Sequence, residues 1–202
     1  MSFFKPFLLS AALTASAAAA SAQCPTSADL AKGIRVENTG TKTRSDYTRA
    51  NASEHLVEKR VNRSRSNKAI KQTTWYVNGL MPGATTRGGG MTKMVYPRDA
   101  TRQVKRLPQQ GFSIRFQSYY GGRKLEAGHT SYRFEGKGTV KVGSCTYDVW
   151  KVRTDTKLAD GKRFVWRQYY APNLDISLRA EKLTPQGGVV HSVAYNKISK
   201  LR

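Results

Sequence analysis

The chain has 202 residues, with 35 Lys and Arg against 13 Asp and Glu, a formal net charge of +22. That length suits one domain able to bury a core without a structural metal or several disulfides. The charge favours polyanions or anionic surfaces as partners, and no stretch beyond the first 22 residues approaches the ~18 consecutive apolar residues of a membrane span.

Residues 1–22 read as a targeting segment. Lys5 precedes an Ala-rich apolar run, and Ala20-Ser21-Ala22 supplies a small-x-small cleavage site, so the mature chain is expected to start at Gln23 and to be exported. Removing Lys5 leaves 22 − 1 = +21 on residues 23–202, which read as a single domain. The expected compartment is the periplasm, with full secretion as the alternative. In such a compartment Cys24 and Cys145 are expected to pair, the alternatives being two separate buried thiols or a lipidated Cys24. Gln23 argues against lipidation, because that processing wants a small residue before the cysteine. Closing so long a loop contributes about 4 to 5 kcal/mol in the chain-entropy account.

A short helix is predicted over Pro25–Lys32, with Thr26 or Ser27 as its cap and Gly33 as its stop. Strand-like text follows from Ile34, polar on both faces between Thr43 and Arg49, then alternating over Leu56–Arg63 and over Lys68–Val77 up to the Asn78-Gly79 turn. Met81–Thr92, with Pro82, Gly83 and Gly88-Gly89-Gly90, reads as a flexible loop, and Met91–Tyr96 as another strand. Pro97–Arg106 is the best internal helix, ended by Pro108 and Gly111. From Lys59 to Arg106 the only acid is Asp99, so this half should carry the strongest positive potential.

Alternation resumes at Phe112–Tyr120, where Phe112, Ile114 and Phe116 share a face, and continues through Ser131–Glu135 and Thr139–Val142. Three strands in a meander follow, Cys145–Thr154, Lys162–Ala171 and Asp175–Thr184, with Phe164, Trp166 and Tyr170 on one face of the second. Val189–Ile198 closes the chain. The fold class is therefore mainly β: about ten strands in a curved antiparallel sheet around one or two short helices.

A helix-like segment ending in Leu107-Pro108 and Gly111, the Gly143-Ser-Cys-Thr-Tyr-Asp-Val-Trp-Lys-Val152 strand, and Tyr169-Tyr170-Ala171-Pro172 with Leu174 together resemble the periplasmic half-barrel proteins that include the lipoprotein carriers LolA and LolB. The similarity covers residues 95–184. It implies a sheet wrapped around a helical plug, with acyl chains held on the concave apolar face, and it carries no catalytic residue.

No Gly-x-Ser-x-Gly elbow or His-Glu-x-x-His is present, and His55, His129 and His191 lack ligand spacing, so no cofactor, metal or catalytic group is assigned. Asp148 and Glu181 are the acids best placed for acid–base work, though ion pairs with the surplus Arg and Lys explain them more simply. The function expected is a soluble carrier of an anionic amphiphile, a lipid or a lipoprotein acyl chain. Phe112, Ile114, Phe116, Trp150, Phe164 and Trp166 would line the apolar face, and Arg60, Arg63, Lys105 and Arg106 would meet the anionic headgroup at the rim. The alternatives are a non-catalytic basic envelope protein retained on polyanionic surfaces, with peripheral membrane contact, and a hydrolase without a motif. Nucleic acid suits the charge but is a less natural partner in an exported protein.

Overall fold

The computed structural model describes residues 23–51, 54–63 and 68–202; the expected leader, residues 1–22, lies outside them. Thirteen strands are present among the described residues: β1 (Ile34–Asn38), β2 (Thr43–Thr48), β3 (Leu56–Arg63), β4 (Ala69–Asn78), β5 (Met81–Arg87), β6 (Gly90–Val95), β7 (Phe112–Tyr120), β8 (Arg123–Val142), β9 (Cys145–Leu158), β10 (Arg163–Ala171), β11 (Ile176–Leu183), β12 (Val189–Ala194) and β13 (Lys197–Lys200). One helix, α1 (Ala100–Lys105), and one 3-10 turn, Ser27–Ala31, complete the fold. No helix among them is long and apolar enough to cross a membrane.

The strands form one open, curved antiparallel sheet in which β1 to β12 follow chain order as a meander and β13 pairs beside β1. The sheet's two edges are thus successive pieces of the chain end. β12 pairs with β11 and β13 with β1, and between them the Tyr195 N–H reaches Leu178 O while the Asn196 N–H reaches Glu37 O. Cys24 and Cys145 form a disulfide that ties the start of the described chain to β9.

Two expectations are corrected. Met81–Thr92 is not a flexible loop: β5 fills most of it and β6 begins within it, giving thirteen strands where about ten are expected. Pro82, which lacks a ladder donor, is accommodated where the β4–β5 register slips around Tyr76. The Pro97–Arg106 helix contracts to the six residues of α1.

The sheet buries different faces in different places. On β9, Cys145 and Val149 are buried on one side, and Val152 and Thr154 on the other. The change falls where both neighbours are irregular: the β8 register shifts between Phe134 and Gly136, and the β10–β11 register between Tyr169 and Tyr170. Gly136 takes φ +133 there, a conformation that suits glycine. Two apolar cores result. In one, Leu30, Ile34, Val36, Leu56, Val149 and Leu178 meet. In the other, Ala100, Val104 and Leu107 from α1 and the residues after it pack onto Ile114, Tyr132, Val152 and Tyr170.

Candidate functional site

Residues directly opposite one another in an antiparallel pair point to the same side of the sheet. Ser45 lies opposite Arg60, Tyr47 opposite Glu58, and Leu56 opposite Tyr76. Because Leu56 is buried, the whole set Ser45, Tyr47, Glu58, Arg60 and Tyr76 turns inward with it. A glutamate is thereby carried into the interior, where Glu58 is only 1% exposed.

Burying a carboxylate is costly unless every oxygen is satisfied. Glu58 Oε1 accepts from Ser45 Oγ at 2.7 Å, Tyr47 OH at 3.0 Å and Arg60 Nε at 2.8 Å, and its Oε2 accepts from Tyr76 OH at 2.7 Å. Arg60 adds an ion pair through Nη2 at 2.7 Å. Since the single Ser45 proton goes to Glu58, the 3.1 Å contact between Ser45 Oγ and Tyr195 OH has Tyr195 as donor. Burial first, and then the Glu58 charge, push the Tyr47 and Tyr76 hydroxyls well above the usual phenol range, so both remain donors. Burial disfavours the Arg60 cation, but Tyr195 and Glu58 more than offset it and the guanidinium stays charged.

This hub forms one wall of a partly open cavity of about 160 Å³, bounded by Tyr47, Arg60, Tyr76 and Tyr195 together with Trp166, Gln168 and Val193. Ser177 Oγ donates to Gln168 Oε1 at 2.9 Å, so the amide NH2 is the end left for a ligand. Arg179 also borders the space, but its guanidinium reaches Glu181 at 2.6 Å and lies 4.8 Å from the Tyr169 ring centroid. Arg60 and Arg179 are the two charged groups at this space, each ion-paired to a glutamate, and Arg179 Nε is buried without a hydrogen-bond partner. With its oxygens occupied by donors, Glu58 is a poor base or nucleophile.

The expected apolar trough is occupied by the protein itself. Phe112 stacks on Tyr132 with centroids 4.6 Å apart, Trp150 meets Phe134 edge-on at 6.3 Å, and Ile114 and Phe116 are buried. α1 lies over this part of the sheet because Ala100, Val104 and Leu107 present hydrocarbon to it. Phe164 is 40% exposed, and among the six expected lining residues Trp166 alone borders the cavity. Arg60 turns to the hub side of the sheet, its strand register placing it opposite buried Ser45, and its side chain stays 31% exposed beside Glu58. Arg63, Lys105 and Arg106 are exposed and away from it.

Trp150 and Lys105 do come together at a wider hollow of about 540 Å³ with Arg49, Tyr170 and Asp175. There Asp175 neutralises Arg49 and accepts from Tyr170 OH at 2.5 Å and from the Gly79 N–H at 2.9 Å. This is a latch between two turns, and a Cβ on Gly79 would lie 1.9 Å from Asp175 O. Of the acids singled out in the sequence, Asp148 is exposed and Glu181 is held by Arg167 and Arg179. Among the described residues no three His, Cys, Asp or Glu side chains gather as a metal site.

The sequence reading missed Tyr47, Glu58, Tyr76, Gln168 and Tyr195. A signal for Glu58 was present: it shares a period-two face with Leu56, whose burial obliges the glutamate to face inward too. No protein-family model, curated protein or solved structure matches the chain, so the functional reading rests on this geometry.

Proposed function

We propose that the chain is an exported binding protein for a compact organic anion, held in the cavity beside Arg60. The supporting observation is a charged guanidinium at the wall of an aromatic-lined space, with its carboxylate partner saturated by four side chains. The ligand's acidic group meets Arg60 and the Gln168 amide, and its body lies against Trp166 and Val193. A space of 160 Å³ is close to the ~150 Å³ cavity that accepts benzene, so the amphiphile expected from the sequence contracts to an acid of that size without a long tail. The overall charge of +22 draws small anions toward the protein.

Benzoate is a suitable probe, with neutral benzamide as its control at constant ionic strength. A saturable rise in melting temperature is expected with benzoate and not with benzamide. Gln168→Leu, which leaves the Glu58 hub intact, should weaken the effect about tenfold, the loss of one hydrogen bond to a charged group. Equal responses to the two probes, or no saturable response to benzoate, would overturn the reading.

A further inference from the structure

We propose that the face of β7 to β10 turned away from α1 binds a linear acidic polysaccharide, laid across the strands on two rows of cations and separate from the cavity at Arg60. On these strands Ile114, Tyr132 and Val152 point to the α1 side, so the alternate residues Arg115, Arg133 and Arg153 point to the other. The register sets them in line with their neighbours. Arg115 lies opposite His129, His129 opposite Lys157 and Lys157 opposite Arg163, an exposed row that crosses four strands. Further along the same face, Arg133 lies opposite Arg153 and Arg153 opposite Arg167.

Like charges set directly opposite one another weaken a sheet, and the acids of this face relieve only some of them. Asp155 accepts from Arg163 at 2.8 Å, Glu135 from Arg167 at 2.6 Å, and Glu181 pairs with Arg167 and Arg179. Arg115, Arg153 and Lys157 are left without an ion-pair partner among the described residues. The Arg163 hydrogen bond, with the Lys157 and Arg153 charges adding to it, holds the Asp155 carboxyl below its usual range. An anion lying over the rows offsets a repulsion that the fold itself carries.

The groups between the rows select the kind of anion. Ser113, Ser131, Asp155 and Val165 lie there in register, with the Ser131 and Ser113 hydroxyls 3.2 Å apart and Val165 buried. A bilayer contact needs exposed apolar side chains that enter below the headgroups, and the rows present none. A nucleic-acid strand is held by stacking its bases on aromatic rings, and neither row holds Phe, Tyr or Trp. Tyr169, next on this face of β10, already carries the Arg179 guanidinium 4.8 Å from its ring centroid. A chain of acidic sugars needs neither feature. One cation per strand, at about 4.8 Å per strand, follows its regularly repeated charges, and the serines meet its hydroxyls.

The test is titration of the purified protein, at physiological salt, with an oligogalacturonate long enough to cross the four strands, its neutral methyl ester serving as control. Saturable binding of the acid and not of the ester is expected, with a rise in melting temperature. Arg115→Gln/Arg133→Gln/Lys157→Gln alters only exposed side chains and should lower the affinity about tenfold, what three exposed ion pairs of ordinary strength supply together. Arg102→Gln/Lys105→Gln/Arg106→Gln removes the same charge from exposed positions on and beside α1, on the other side of the sheet, and should change the affinity little. Gln168→Leu, in the cavity, should leave it intact, so failure here is distinct from failure of the cavity reading. If the two triple variants lose affinity equally, the attraction is to net charge alone and the proposal falls. Tighter binding of an oligothymidylate of equal charge would assign the face to nucleic acid instead, and absent binding, or equal binding of acid and ester, overturns the proposal as well.

Discussion

The core beneath α1 and the core beneath the Glu58 hub are built on one sheet, yet the first is closed by hydrocarbon and the second by polar groups. Beneath α1 the closing groups are hydrocarbon: Val104 and Leu107 settle onto Ile114, Tyr132 and Val152, and nothing fixes their spacing except contact. In the other half the closing groups are three tyrosine hydroxyls, a serine, a guanidinium and a carboxylate, each tied at hydrogen-bonding distance to another. Directional bonds fix the side chains of β2, β3 and β4 to one another and to Tyr195, so this wall keeps its shape.

Removing the centre of the hub should have the largest effect. Glu58→Ala leaves Arg60 partly buried without its counter-charge and takes the acceptor from Ser45, Tyr47 and Tyr76, at a cost of about 4 kcal/mol in urea unfolding. The double replacement Glu58→Leu/Arg60→Leu should cost less than the single one, because no lone charge remains. A loss below about 1 kcal/mol for Glu58→Ala, the size of an ordinary neutral hydrogen bond, would break the contrast between the two cores.

The filled core offers the converse experiment. Leu107 has no exposure, so Leu107→Ala should cost about 3 kcal/mol and leave a dry void. That void should take benzene and refuse benzoate, while the parent protein should do the opposite. Benzoate stabilising the variant more than the parent would show that any space in this sheet binds acids, and the polar hub would lose its special standing.

Much of this architecture was legible in the sequence. The meander strands expected at Cys145–Thr154, Lys162–Ala171 and Asp175–Thr184 correspond to β9, β10 and β11, because period-two aromatic and β-branched runs between turn residues have few other uses. The cysteine pair was legible from compartment chemistry and is present. Alternation within β9 could not reveal that it changes its buried face between Val149 and Val152, since that depends on register shifts in the β8–β9 and β10–β11 pairings rather than on the pattern of β9 itself. Met81–Thr92 looked like a loop because Pro82 and three glycines outweigh Thr85 and Thr86, although a proline at a register slip and glycines at a tip are compatible with a hairpin. The polar strands β2 and β3 hid the site for a related reason. Inward-facing polar residues resemble a solvated face until the strands opposite are known, and Arg60 therefore read as a rim charge.

The smallest effect expected tests how that arginine is shared. Tyr195 is 6% exposed; its hydroxyl donates to Ser45 and lies 3.5 Å from Arg60 Nη2. Tyr195→Phe keeps the ring and its packing, so stability should fall by only about 1 kcal/mol, the net value of one such bond. Ser45 still donates to Glu58, and the Glu58 hub stays closed. What changes is Arg60: an N–H that pointed at the phenol is released toward the cavity, where an acid can accept it. Benzoate affinity should therefore rise a few-fold while stability declines slightly. Calorimetric titration of the folded variant separates this from the opposite assignment: if benzoate binding collapses while stability is unchanged, Tyr195 contacts the ligand directly, and the anion sits on the phenol side of the cavity rather than on Arg60.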